Sequence, residues 1–358
     1  MTDPLLIDTA DGIMAAACTA EALRGAEHTG FAPGAWAAVA EAGLPWISVP
    51  AEAGGEGGDL ADALAVLRIA GRHGLPLPLA ETGVLGGWLL AASGLPVDRV
   101  PATVASGTGL AWSDGTVHGT ARLVPWGRAA AQVVVLIGDE DGATGVVAVF
   151  DAADLRIESH VNVAGEPRDT VCFAGTSPLA SAPAGPGVTA AALRRRGALT
   201  RVVLMAGAVR AILDLTVRYT SERHQFGRPI ARFPGVQQHV VHLAQQSAML
   251  EMAADLLGGT AAADPSLAGP AAAFQVAAAK TVAHDAAMIA TAAAHQAHGA
   301  MGVTQEYPLH HLTRRMWAWT REYGTGARSA DEVGALVAEG GADALWPMIS
   351  SGGATALG

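Results

Sequence analysis

The N-terminal part of the chain has apolar residues at helical spacing, interrupted by glycine and proline. Residues 33–43 are one example, because Trp36 and Val39 are spaced to lie on one face of a helix that ends at a glycine. Residues 60–70 form a second segment of this kind. The pattern therefore predicts an α-helical domain over residues 1–104.

From residue 105 the pattern changes to short runs of β-branched and apolar residues, which are typical of strands. Four segments have this character: residues 117–124, 133–137, 146–150 and 169–173. Residues 138–145 are rich in aspartate and glycine, and this composition predicts a turn between two adjacent strands. We therefore predict a small β-domain over residues 105–187.

Long helical patterns return after residue 188. Four helices are predicted here: residues 190–223, 236–258, 271–298 and 309 to about 323. Because these segments are rich in alanine, they should pack closely in a bundle whose faces are buried by neighbouring helices or by another subunit. Residues 188–358 are therefore predicted to be a helical bundle domain. The chain as a whole is predicted to be an α+β protein with helices and strands in separate blocks.

Composition narrows the class of protein. Hydrophobic residues make up 51% of the 358 residues and charged residues 15%, as expected for a packed globular protein. The net charge of −11 argues against binding to a nucleic-acid backbone, which needs a basic surface. It remains compatible with a nucleotide ligand, because a few local arginines can hold a pyrophosphate.

Cysteine content and hydropathy indicate the compartment. Cys18 and Cys172 are far apart in the sequence, so we predict two small buried residues and no disulfide framework. The long alanine-rich run over residues 271–294 is interrupted by charged residues such as Lys280, and is too weakly hydrophobic for a membrane span. No export signal is evident. We expect a soluble, cytoplasmic protein.

Two segments in the C-terminal half of the chain carry the candidate chemistry. Residues 221–230 read SERHQFGRPI at the end of the first long predicted helix, and residues 295–308 read HQAHGAMGVTQEYP. In their order and spacing, and with the segment Trp46–Pro50 before a glycine-rich loop, they resemble the acyl-CoA dehydrogenase family. The resemblance covers most of the chain. It implies a helical N-terminal domain, a small middle β-domain and a C-terminal four-helix bundle.

The resemblance also implies FAD as the cofactor, held mainly by a neighbouring subunit where these two segments touch it. The residues expected to contact the cofactor are Arg223, Gln225, Phe226, Gln296, His298 and Gly299. Arg223 would supply a charge-assisted contact to the pyrophosphate, and Gly299 would let the backbone come close to the ligand. The alternative for Arg223 is a solvated arginine favoured by the negative end of the helix dipole. The spacing of His295 and His298 can bind a metal, but without a third ligand nearby we predict none.

Two features depart from the family pattern. The subunit that holds the flavin does so through a Thr-Glu-Pro-Gly-x-Gly-Ser-Asp-like loop, and the corresponding stretch, Gly109–Thr116, lacks the Glu-Pro-Gly core. Pro234 stands where many members have a glutamine near the cofactor, and proline has no side-chain donor to replace it. Both departures argue against a complete flavin site within the chain itself.

The catalytic base is the third departure. The family removes an α-proton from the acyl thioester with a glutamate, and its Glu-Gly-Thr position falls on Tyr323, one residue after Glu322. We predict Glu322 as the candidate base, with an exposed or salt-bridged glutamate beside Arg321 as the alternative. The other position that the family uses for its base falls near Gly197, where no carboxylate stands. Glu306 is interpreted as structural.

Three functions are compatible with these features. In the first, the chain is a self-sufficient homotetrameric FAD-dependent acyl-CoA dehydrogenase. In the second, which we favour, it resembles the shorter, degenerate subunits of heteromeric acyl-CoA dehydrogenases, such as those of steroid side-chain catabolism, and completes a partner's FAD site in trans. In the third, the fold serves another flavin or thioester reaction. The implied partners are an acyl-CoA thioester, a catalytic subunit or further copies of the chain, and an electron acceptor such as an electron-transfer flavoprotein.

Overall fold

The computed structural model describes residues 2–138, 145–341, 343 and 345–351. The chain divides into two compact units, each of which collects segments that are distant in sequence. The first unit contains Met1–Val66, Pro76–Gly197 and Ala261–Ala268, and the second contains Leu67–Leu75, Ala198–Thr260 and Gly269–Gly358. The boundaries predicted at residues 104 and 187 divide the chain by type of secondary structure, and they remain a prediction about domains.

The first unit begins with short helices. These are α1 (Pro4–Ala17), α2 (Ala20–Thr29), α3 (Pro33–Glu41), α4 (Leu60–His73), which continues into the second unit, a π-helical segment (Ala80–Gly87) and α5 (Trp88–Ala92). Helices α3 and α4 confirm the two helices predicted here. The Asp3 side chain caps α1, and Trp36 packs edge-on against buried Trp46 with ring centroids 6.0 Å apart. The patterned apolar positions thus form the core of this helical part.

Eight strands follow in the same unit. They are β1 (Ala102–Ser106), β2 (Leu110–Ser113), β3 (Thr116–Pro125), β4 (Gln132–Ile137), β5 (Val146–Asp151), β6 (Arg156–Glu158), β7 (Arg168–Thr176) and β8 (Ala180–Pro183). They form two four-stranded sheets, with the orders β1-β4-β5-β8 and β2-β3-β7-β6. All four predicted strands are confirmed, as β3, β4, β5 and β7. The turn predicted over residues 138–145 lies mostly outside the described residues.

The two sheets share one apolar core. Phe150 on β5 meets Phe173 on β7 edge-on, with ring centroids 5.1 Å apart. The sheets connect to the preceding helices through Thr82 in the π-helical segment. Its hydroxyl donates to the Ala102 carbonyl at 3.0 Å and accepts from the Ala102 amide at 3.1 Å. These bonds satisfy buried polar groups where helix and sheet meet.

The second unit is almost entirely helical. Its elements are α6 (Ala190–Glu222), which begins in the first unit, β9 (His224–Gln225), β10 (Arg228–Pro229), α7 (Pro234–Ala263), α8 (Pro270–His298), α9 (Leu309–Trp319), α10 (Gly326–Gly340) and α11 (Leu345–Ser351). The four helices predicted for this region correspond to α6–α9 and are confirmed, whereas α10 and α11 were not predicted. Within this unit Gly207 of α6 lies so close to the Arg68 carbonyl of α4 that a Cβ at residue 207 would overlap it. Small residues therefore set the approach of these two helices.

No helix in the described part of the chain is long and apolar enough to cross a membrane.

Candidate functional site

The first candidate segment forms a rigid hairpin directly after α6. Strands β9 and β10 pair antiparallel, and the turn residues Phe226 and Gly227 have φ values of 53° and 78°. Positive φ at both turn positions is typical of the two-residue type I′ hairpin. The Ile230 amide donates to the Arg223 carbonyl at 2.8 Å, which fixes the base of the hairpin to the helix end. This geometry holds the turn residues away from α6.

The hairpin presents an apolar ring and a cation to the surface. The Phe226 side chain is 91% exposed, and its ring meets the Phe233 ring edge-on, with centroids 6.0 Å apart. Arg223 and Gln225 are also exposed, and within the described residues no ion pair involves Arg223. By contrast, the Arg228 guanidinium lies over the Phe233 ring at 4.4 Å. An exposed phenylalanine held on a fixed turn marks a surface that a ligand or another chain can cover.

The second segment lies at the end of α8, where its residues point in two directions. Gln296 and Gly299 are exposed, and Gly299 has a φ of 57° that ends the helix. The His298 ring is 3% exposed and stacks on Tyr219 with centroids 4.5 Å apart. Its Nδ1 donates to the Ala294 carbonyl at 2.8 Å. Burial lowers the pKa of His298 below its ordinary value, and that hydrogen bond partly offsets the effect.

The structure therefore leaves Gln296 and Gly299 at the surface and places the His298 ring inside the unit. This burial argues against a direct contact between the His298 side chain and a ligand. The neighbouring His295 is bonded through Nε2 to the Thr313 hydroxyl at 3.0 Å. Among the residues that the structure describes, no cluster of three or more His, Cys, Asp or Glu side chains could hold a metal ion.

Glu322 is part of a buried ion pair. Its Oε2 accepts a hydrogen bond from Nε of Arg201 on α6 at 2.6 Å, and the two side chains are 14% and 2% exposed. The Arg201 guanidinium also lies over the Tyr323 ring at 5.0 Å. Of the two alternatives for Glu322, the structure thus favours a salt-bridged glutamate, with Arg201 and not Arg321 as the partner. A carboxylate held by a guanidinium is a poorer base, because the neighbouring cation favours its charged form.

Sequence reasoning missed the third member of this cluster. Lys280 on α8 is fully buried, and its Nζ donates to the Trp319 carbonyl at the end of α9, at 2.6 Å. Burial lowers the pKa of Lys280 to about 7, an effect that Glu322 opposes and Arg201 reinforces. One signal was available in the sequence, because Lys280 is the only lysine among the 22 basic residues. We name Arg201, Lys280 and Glu322 the α6–α8 charge cluster.

The other position that the resembled family uses for its base, near Gly197, is preceded by an arginine and has no carboxylate. Gly197 lies within α6, and the preceding Arg196 is buried with its guanidinium 4.3 Å from the Trp88 ring centroid. Arg196 also donates to the Pro265 carbonyl. Burial lowers the pKa of Arg196 to about 9, and Asp264 partly offsets this effect. Neither position therefore offers an unengaged carboxylate.

The stretch Gly109–Thr116 is closed into a second tight hairpin. Strands β2 and β3 pair directly from Leu110↔Gly119 to Ser113↔Thr116, and only Asp114 and Gly115 form the turn. Their φ values of 50° and 77° again indicate a type I′ turn. Each residue from Leu110 to Ser113 is thus paired with β3, and the stretch is a hairpin with a two-residue turn and not an open loop.

Comparison with known proteins identifies related sequences for both helical parts of the chain. Residues 3–96 match the family model described as acyl-CoA dehydrogenase, N-terminal domain. Residues 188–335 match the model described as acyl-CoA dehydrogenase, C-terminal domain. A similar protein is the acyl-CoA dehydrogenase IpdE2 of Mycolicibacterium smegmatis, 29% identical over 315 residues that cover 85% of this chain and 89% of that protein.

Solved structures with the same fold include two named as pairs of chains. A chain of the ChsE4-ChsE5 complex from Mycobacterium tuberculosis superposes with a TM-score of 0.77 at 23% identity, over 95% of this chain and 98% of that one. A chain of the Tcur3481-Tcur3483 steroid ACAD G363A variant gives a TM-score of 0.79 at 25% identity, over 94% and 97%. Both matches extend over nearly the whole length of the two proteins.

Proposed function

Because the chain belongs to the acyl-CoA dehydrogenase family, we propose that it is one subunit of a heteromeric FAD-dependent acyl-CoA dehydrogenase and completes the FAD site of a catalytic partner. One contrast carries the proposal. The segments that reach a neighbouring chain's cofactor in this family are exposed here, at Arg223, Phe226 and Gln296. The stretch that would hold the chain's own flavin, Gly109–Thr116, is a paired hairpin. The chain thus offers one half of a shared site.

The exposed residues suit the groups of FAD that they would meet. Arg223 supplies a guanidinium for the pyrophosphate, and this charge-assisted pairing is among the stronger polar contacts in proteins. Phe226 offers a flat apolar surface, and Gly299 leaves room for a close approach of the backbone. FAD bound there would supply the acceptor for the hydride that leaves the β-carbon of the acyl thioester. The role of this chain is to bind and orient the cofactor and to exclude water from it.

Under this proposal the catalytic base belongs to the partner. Glu322 is held by Arg201 in the α6–α8 charge cluster, and the position near Gly197 offers no carboxylate. A partner with a flavin-holding loop and a glutamate in the Glu-Gly-Thr position would complete one site per pair of chains. The substrate class is an acyl-CoA thioester. The names of the two paired solved structures, one of them a steroid enzyme, support a partner chain and favour a steroid-derived acyl group. We propose an electron-transfer flavoprotein as the electron acceptor.

Flavin stoichiometry tests the proposal. Expressed alone, the chain should be flavin-poor, because pairing it with itself completes no site. Co-expressed with a flavin-holding member of the same family, it should form a mixed dimer of dimers with about one FAD per two chains, in keeping with closed symmetry. The absorbance of the flavin relative to the protein gives the count. A yellow homotetramer with one FAD per chain and acyl-CoA dehydrogenase activity would instead establish the self-sufficient enzyme.

A further inference from the structure

Two of the three members of the α6–α8 charge cluster are cations, Arg201 and Lys280, and both are nearly inaccessible to water. Around the Lys280 amine, Glu322 favours the charged form and Arg201 opposes it. Removing a cation from water is costly, and a second cation nearby adds to the cost. Arginine holds its proton more tightly than lysine does, because its ordinary pKa is higher. Lys280 is therefore the member of the cluster that releases a proton most readily, with a pKa lowered to about 7.

Lys280 is also a structural support for the turn that carries Glu322. Its Nζ donates to the Trp319 carbonyl, where α9 ends and the turn begins. At the end of that turn, four and five residues after Trp319, Tyr323 and Gly324 both have positive φ, at 55° and 118°. A non-glycine residue held in the left-handed region is strained, and surrounding contacts must maintain it. The hydrogen bond from Lys280 holds the start of this turn, at Trp319, and the Arg201 guanidinium lies over the Tyr323 ring at its end.

We propose that Lys280 is a positioning residue in which proton release is coupled to the closing of the turn at residues 319–324 over the lysine amine. When the turn opens, water reaches Nζ and the amine takes up a proton. When the turn closes, that proton leaves to solvent, and the amine keeps its hydrogen bond to the Trp319 carbonyl. The turn is then held more firmly as the pH rises above neutral, because closing releases one proton.

The charged groups around the amine come from several elements. Glu322 faces it from the turn and Arg201 from α6. On its own helix, His284 lies one turn further along and packs against Gly326 at the start of α10. Helices α9 and α10 also pack against α8, and their titratable side chains are His310, His311, Arg314 and Arg315 on α9, and Arg328, Asp331, Glu332 and Glu339 on α10. Those of α10 are exposed to solvent.

The absence of any other lysine from the sequence makes a direct test available. Lysine labelled with ¹³C at Cε and incorporated into this chain alone should give a single side-chain resonance, within whichever assembly the full-length chain forms. We expect its titration midpoint near the pKa of about 7 and not near the ordinary 10.5. Glu322→Gln should lower the midpoint further, because the carboxylate favours the ammonium form. A midpoint near 10.5 in the folded protein would overturn the proposal.

Hydrogen exchange in the turn tests the coupling itself. After correction for intrinsic exchange, protection of peptides covering residues 319–324 should rise about tenfold per pH unit above the midpoint. Lys280→Met should remove this pH dependence. Lys280→Arg, which keeps a permanent positive charge, should leave the turn poorly protected at every pH, whereas a residue needed only as a cation would tolerate arginine. Protection that does not change with pH in the unsubstituted chain would also refute the proposal, and this measurement needs no variant.

Discussion

Replacing Glu322 by glutamine separates the role of an ion-pair partner from that of a catalytic base. Breaking a buried ion pair by removing one charge costs about 3–5 kcal/mol. Glu322 remains 14% exposed, and glutamine can still accept the hydrogen bond from Nε of Arg201. We therefore expect the free energy of unfolding to fall by about 2–3 kcal/mol, which is less than the usual cost of breaking a buried ion pair. Turnover of the functional assembly should be nearly unchanged.

Urea unfolding at fixed protein concentration and steady-state turnover, measured on the same preparations, check both expectations. Glu306→Gln is the matched control, because Glu306 is exposed and should tolerate the change within about 0.5 kcal/mol. The double variant with Arg201→Met should lose less stability than the sum of the two single variants, as expected for residues in contact. A fall in turnover of about 100-fold with unchanged stability would refute this reasoning and identify Glu322 as a general base.

Three further predictions concern the cofactor, the packing of the helices and the buried lysine. Arg223→Ala should weaken FAD retention by about 1.5–3 kcal/mol, read as flavin content after gel filtration, and unchanged content would reject the contact. Gly207→Ala should destabilise the second unit by about 1–3 kcal/mol in urea unfolding, because the new Cβ would overlap the backbone of α4. Gly258→Ala is the control: its Cβ would meet nothing within 4 Å, so the change should be neutral or slightly stabilising. Because the pKa of Lys280 is about 7 when folded and 10.5 ordinarily, unfolding takes up a proton between these values. The free energy of unfolding should therefore rise with pH across this window by up to about 1.4 kcal/mol per pH unit and level off below it. Lys280→Met should lack that rise, and equal slopes in both proteins would contradict the prediction.

The helices and central strands could be predicted because their signals are local. The spacing of Trp36 and Val39 is typical of one face of a helix. The β-branched runs of β4 and β5 are typical of strands. Helix α10 also has apolar residues at helical spacing, at Val333, Leu336 and Val337, so its pattern was sufficient to predict it. In the fold it packs against α8. Strands β1, β2, β6 and β8 were missed because they are short, with three to five residues each.

The chemistry of the site was only partly accessible from the sequence. The motif at Arg223 and Phe226 is continuous in sequence, so a resemblance could locate it. The contact between Arg201 and Glu322 joins residues that are 121 positions apart, and no periodicity relates them. The direction of the His298 ring likewise depends on Tyr219, which stands on another helix. Pairings of this kind are determined by tertiary packing and become visible only in the folded chain.

The burial of Lys280 gives the folded chain an unusual response to proteolysis. A protease that cleaves only after lysine has one target bond in the whole sequence, and that bond lies in the middle of α8. Cleavage therefore requires that α8 open, and it yields two fragments, residues 1–280 and 281–358. When opening and closing are fast relative to cleavage, the rate at which these fragments appear reports the equilibrium between closed and open α8. The chain thus contains its own single-site reporter of local unfolding, without any engineered cleavage site.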